Sequence, residues 1–104
     1  MATNKEFLNN FFEQVKNIPE VSSRAMMGEY VLYYKGKVIG GIYDNRVLIK
    51  PVDGLDELLP DAKLQIPYQG AKPLVYLESF EEELLKNIFE LLYNKLPQPK
   101  PKKV

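Results

Sequence analysis

Apolar residues along this chain form two stripes of helical spacing, with a block of alternating positions between them. Phe7, Leu8, Phe11, Phe12, Val15 and Ile18 recur at intervals of one, three and four, which places them on one side of a helix. Thr3 and Glu6 stand ahead of the stripe at capping-box spacing, and Pro19 follows it. Together they predict a helix over residues 4–18. Leu84, Leu85, Ile88, Phe89, Leu92 and Leu96 form the second stripe, between a Ser79/Glu82 capping box and Pro97. That pattern predicts a helix over 79–95, with Glu81, Glu82 and Glu83 placed where carboxylates complement the helix dipole.

Between the stripes the period changes to two. Glu29–Tyr34, Lys37–Tyr43 and Arg46–Lys50 read as antiparallel strands joined by the two-residue turns Lys35-Gly36 and Asp44-Asn45. Arg24–Met27 leads into the first strand, and Pro51 ends the third. Two-residue hairpins would set Leu32 opposite Ile39, Tyr30 opposite Gly41, and Gly41 opposite Leu48. Alternation then yields two faces. Val31, Tyr33, Val38, Gly40, Ile42, Val47 and Ile49 form an apolar face suited to the helices. Tyr30, Leu32, Tyr34, Ile39, Gly41, Tyr43 and Leu48, edged by Lys37, Arg46 and Lys50, form an amphipathic one with a hydrophobic centre of Tyr30, Leu32, Ile39 and Leu48. A one-residue slip would exchange these roles. Gly40 and Gly41 sit mid-strand, which is expected where crowding must be relieved or a bulge is needed, or where a partner approaches the backbone.

Further along, Gly54–Leu59 has the look of a short helical turn closed by Pro60, and Leu64–Ile66 of a brief extended piece. Pro67–Pro73 is turn-rich, and Leu74–Glu78 reads as a strand that joins the sheet. The expected architecture is α+β: a two-layer fold with an antiparallel meander sheet packed against N- and C-terminal helices. One domain spans residues 1–96, and 97–104 form a flexible Pro/Lys tail.

Composition narrows the chemistry. The 104 residues include no cysteine and no histidine, which removes disulfides, thiolate metal ligands, a Cys nucleophile and the usual general base. Consecutive acids at 81–83 splay around a helix and do not converge on a metal. Ser22 and Ser23 have no base to activate them, and no phosphate-cradling glycine motif is present. No catalytic residue, metal or cofactor is expected. Fourteen basic and fourteen acidic residues cancel overall, but Lys100, Lys102 and Lys103 lie in the tail, so residues 1–96 hold 11 basic and 14 acidic groups, net −3. That balance argues against specific nucleic-acid binding. The start of the chain has neither a signal-peptide nor a membrane-anchor pattern, so a cytoplasmic protein is expected. For an anionic contact the candidates are Arg24, Lys50 and Lys72, near Tyr30 or Tyr68. The plainer role for these cations is surface solvation or a salt bridge to Glu29.

RAMMGEYVLYYKGKVIGGIYDNRVLIK, residues 24–50, resembles the N-terminal domain of the TfoX/Sxy competence-regulator family. Arg24, Met26, Gly28, Leu32, Tyr33, Gly36, Ile49 and Lys50 carry the resemblance, joined by Pro67-Tyr68 and the last helix. The chain departs from the family pattern at Met27-Gly28-Glu29, where Phe-Gly-Gly is common. The resemblance implies a stand-alone, non-enzymatic regulatory or protein-interaction domain and supplies no catalytic residues. Its interaction face would comprise Tyr30, Leu32, Ile39 and Leu48 with Arg46 and Lys50. Such a face would be covered by the 51–72 segment, by a second copy in a homodimer, or by a foreign protein. The alternative is a small-ligand or anion-binding module built from Arg24, Tyr30, Lys50 and Tyr68, with Lys72 beside them.

Overall fold

The computed structural model describes residues 3–96; the Pro/Lys tail lies outside the described residues. Helix α1 spans Lys5–Gln14, followed by strands β1 (Val21–Met26), β2 (Glu29–Tyr34), β3 (Lys37–Tyr43) and β4 (Arg46–Ile49). A short helix α2 (Leu55–Leu58), strands β5 (Leu64–Gln65) and β6 (Leu74–Leu77), and helix α3 (Glu82–Lys95) complete the order. The strands make one six-stranded sheet in the order β1-β2-β3-β4-β6-β5, antiparallel throughout. The expected two-layer α+β fold is present. The sheet is wider than the meander alone, because Val21–Met26 is itself a strand paired to β2.

Three hairpins follow one another, and each turns on two residues of positive φ: Met27-Gly28, Lys35-Gly36 and Asp44-Asn45. This is the type I′ pattern, whose twist matches that of the strands it joins. Neither capping box forms. Asn4 caps α1, its side chain accepting from the Phe7 amide at 2.7 Å. Thr3 is diverted to Glu29, and α3 begins after Glu81 with no side-chain cap.

The register holds as expected from Tyr43–Arg46 through Gly41–Leu48. It breaks between β2 and β3. Tyr34 pairs with Lys37 and Tyr33 with Val38, but Leu32 then pairs with Gly40, leaving Ile39 as the extra residue of a bulge. All of β2, and β3 as far as Ile39, change face relative to the regular hairpin. Leu32 and Ile39 are fully buried in the core with Tyr34, and Tyr30 packs against them. Lys37 is buried on the same side. Val31, Tyr33 and Val38, expected beneath the helices, stand on the outer face instead. On β3 beyond the bulge and on β4 the expected faces hold: Ile42, Val47 and Ile49 meet the helices, and Gly41, Tyr43, Arg46 and Leu48 face out. Gly40 explains why the bulge falls here. A Cβ at this position would lie 2.1 Å from the Leu48 carbonyl oxygen and 2.7 Å from the Ile49 Cα, and neither can move aside.

Phe11, Val15, Leu85, Ile88, Phe89 and Leu92 close the core from the helix layer. Phe11 meets Phe80 edge-on at 5.4 Å, and Tyr34 lies 5.6 Å from Phe89. Lys37 fastens the far end of α3. Its ammonium donates to the carbonyls of Tyr93 at 2.6 Å and Leu96 at 2.9 Å, and sits 4.3 Å over the Tyr93 ring. A cation satisfying the last carbonyls of a helix complements both their lone pairs and the dipole.

Candidate functional site

Glu29 organises one end of the outer face. Its Oε1 accepts from the Thr3 amide (2.9 Å) and hydroxyl (2.7 Å), and Oε2 accepts from the Asp44 amide at 3.1 Å. Asn4 and Asn45 add a further tie, amide to side chain, at 3.0 Å. Glu29 therefore joins Thr3 to two hairpin turns, and it bonds these groups rather than Arg24. The turn beside it presents Met27, which is 99% exposed at φ +52. A non-glycine residue in this region costs about 1 kcal/mol, and here the side chain gains no burial in return.

The outer face is half covered. Tyr43 folds its ring back over Gly41, so that a Cβ on Gly41 would come within 2.6 Å of it. The loop between β5 and β6 returns across the sheet, and Tyr68 stands 6.0 Å from Tyr43. Arg46 reaches the same loop, donating to Gln65 at 2.6 Å and to the Tyr43 carbonyl at 3.2 Å. Leu48 faces away from the helices yet is 0% exposed within a single chain. Burial and the neighbouring Tyr68 hydroxyl raise the Tyr43 hydroxyl above its ordinary range.

Two clefts flank the Tyr43–Pro67–Tyr68 ridge, each of about 380 Å³. Met26, Met27 and Glu29 complete the first. Lys50, Lys72, Pro51, Pro73, Leu74 and Leu96 are among those completing the second. The proposed anion-contact residues are thus divided: Lys50, Tyr68 and Lys72 share a cleft, Arg24 is exposed on edge strand β1, and Tyr30 faces the helices. The proposed interaction face is divided too. Leu48, Arg46 and Lys50 remain outside, whereas Tyr30, Leu32 and Ile39 are on the core side. Sequence reasoning named none of Met27, Tyr43 and Pro67 as a contact residue. The one signal for Met27 was a large apolar residue directly before a turn glycine.

A second cluster lies on the helix side. The Tyr34 hydroxyl donates to Glu90, and Lys35 pairs with the same carboxylate at 3.1 Å. Burial, then the Glu90 contact, raises the Tyr34 hydroxyl; the bond from Tyr34, then that from Lys35, lowers Glu90. Lys35 is raised chiefly by its bond to Glu90. Among the described residues no group of three acidic side chains converges to hold a metal, and no helix is long and apolar enough to cross a membrane.

A three-hairpin antiparallel sheet backed by two helices, with apolar clefts on its outer face, defines a small α+β domain. The TfoX N-terminal domain model matches residues 13–87, and the chain belongs to that family. A protein of Spirochaeta aurantia, described as an uncharacterized 12.7 kDa protein in the trpE 5′ region, is 33% identical over 105 residues, covering 99% of this chain and 91% of the relative. No solved structure matches.

Proposed function

We propose that this domain is a non-enzymatic, cytoplasmic regulatory module that binds another protein through the Met27 end of its outer sheet face. The observation that carries the reading is Met27: a large apolar side chain held fully in solvent, at a strained φ, at the mouth of an apolar cleft. Met26, Ile66 and Tyr68 are also exposed, and Met26 and Tyr68 line that cleft with it. Thioethers and aromatic rings grouped at a surface are the composition that recognition sites favour. Membership of the TfoX N-terminal family supports a regulatory role, and the absence of histidine and cysteine favours binding over catalysis.

A photo-reactive benzoylphenylalanine at position 27, compared with one at Lys86 on α3, tests this in cells that make the protein. Cross-links to a discrete protein from position 27, absent from position 86 and lost with Met26→Glu, are expected. A product of twice the chain's mass would identify the partner as a second copy. Equal labelling from both positions would overturn the reading.

A further inference from the structure

One end of the outer face has a charge that the domain as a whole lacks. Residues 1–96 carry net −3, with 11 basic against 14 acidic groups. Yet Arg24, Arg46, Lys50 and Lys72 all belong to the outer face or its loop. Among the described residues the ion pairs are Lys16–Glu13 and Lys35–Glu90, which involve none of these four. Arg46 bonds only neutral acceptors, so its charge is not cancelled. Glu29, bonded by the neutral Thr3 and Asp44 groups, keeps its negative charge at the Met26–Met27 end, so the uncompensated positive charge gathers at the Lys50 and Lys72 end. An acidic domain thus presents a locally cationic cleft at Lys50 and Lys72.

That charge adjoins the apolar one. Tyr43, Pro67 and Tyr68 form a wall common to both clefts, so the two compartments are neighbours along one groove. The compartment at Met26 and Met27 is lined mostly by apolar side chains, and the one at Lys50 and Lys72 has no carboxylate among the described residues of its lining. Resting on the reading of this face as a protein-docking surface, we infer that its partner presents an extended acidic segment. One bulky apolar side chain of that segment fills the Met26–Met27 compartment, and an Asp or Glu a few residues away meets Lys50 and Lys72. Carboxylates suit this rim because the lysines gain a counter-charge, which fixes partner choice and orientation along the groove. A nucleic acid fits less well. It would need a continuous basic stripe, and it would leave the thioether compartment without a use.

The probe is a random twelve-residue peptide library displayed on phage and selected against the whole protein. Enriched peptides should pair an apolar Leu, Met or Phe with an acidic residue at fixed spacing. A synthetic consensus peptide should bind about tenfold more weakly to Lys72→Glu, an exposed loop substitution, and more weakly still to the Lys50→Glu/Lys72→Glu variant. Reselection against that double variant should exchange acidic for basic residues. Apolar peptides with no acidic preference would overturn this inference while leaving the docking surface in place. If no peptide is enriched and cross-linking at Met27 also fails, both readings fall. Tighter binding of a single-stranded oligonucleotide than of any peptide at physiological salt would overturn the acidic-segment assignment in favour of nucleic acid.

Discussion

The two faces of this sheet solve opposite problems with similar residues. Toward the helices, a lysine, a tyrosine and a glutamate are each assigned a partner: Lys37 on the α3 carbonyls, Tyr34 on Glu90, and Glu90 shared with Lys35. On the outer side, lysines of the same type rim a cleft that has no acid among the described residues, and a methionine stands in water. The contrast shows that residue type says little about role in this domain. Position relative to a single bulge says a great deal.

The largest effects should come from residues the bulge turns inward. Leu32→Ala or Ile39→Ala should cost about 2–5 kcal/mol, the range for truncating a buried aliphatic side chain. Val38→Ala, one residue away on the outer side, should stay within about 0.5 kcal/mol. Chemical denaturation of the three variants measures the difference, and equal losses at 38 and 39 would mean that the bulge is misplaced.

Next in size is Lys37. Lys37→Met keeps the stem but strips two helix-end carbonyls of their donor, a loss of about 1–3 kcal/mol. Lys50→Met and Lys72→Met should barely change the denaturation midpoint. If all three lysines behave alike, the distinction between a structural cation and a recognition cation collapses.

The pH dependence sharpens the helix side alone. Glu90 is lowered in the folded state, so its stabilisation is present above the ordinary carboxylate range and is lost as pH falls through the folded value. Tyr34 and Lys35 are raised, so their contribution is present at neutral pH and is lost as pH climbs past 10. Glu90→Gln should flatten the acid limb of a plot of melting temperature against pH, and Tyr34→Phe should flatten part of the alkaline limb. A Glu90→Gln curve that parallels wild type below pH 5 would refute the assignment.

The smallest change is expected at Met27, and it should be a gain. Met27→Asn places a residue tolerant of the left-handed region in a type I′ turn and should stabilise the fold by about 0.5 kcal/mol. The same substitution should weaken capture of a partner through the adjoining cleft. Lower stability for this variant would show that Met27 is packed after all.

Much of the fold is readable from local pattern, because turns and helical stripes depend on near neighbours. Asp44-Asn45 fixes the β3–β4 register correctly, since nothing irregular intervenes. The β2–β3 register is not readable from the Lys35-Gly36 turn alone. Its bulge answers to the close approach of β4 to Gly40, a contact made across the next hairpin and outside the turn itself. β1 escaped notice because Val-Ser-Ser-Arg-Ala-Met has little apolar alternation; its residues are mostly exposed at the sheet edge. The clefts were legible only in part. Lys50, Tyr68 and Lys72 were singled out by type, but Tyr43 enters because Gly41 lets its ring fold down. Lys37 could not be recognised at all, since its acceptors lie 56 and 59 residues away.

The succession of three two-residue hairpins also bears on how the chain finds this arrangement. Four strands, from Val21 to Ile49, can zip together by closing very short loops in turn, each with a small entropic cost. β6 is different. It must return across residues 50–73 to reach β4, and α1 and α3 supply the core from opposite ends of the sequence. The slow step in assembly is therefore expected to be the docking of β6 and α3 onto a meander already in register. Until that docking occurs, the apolar side of the meander has no cover, and the free edge of β4 is the strand most open to pairing with another molecule.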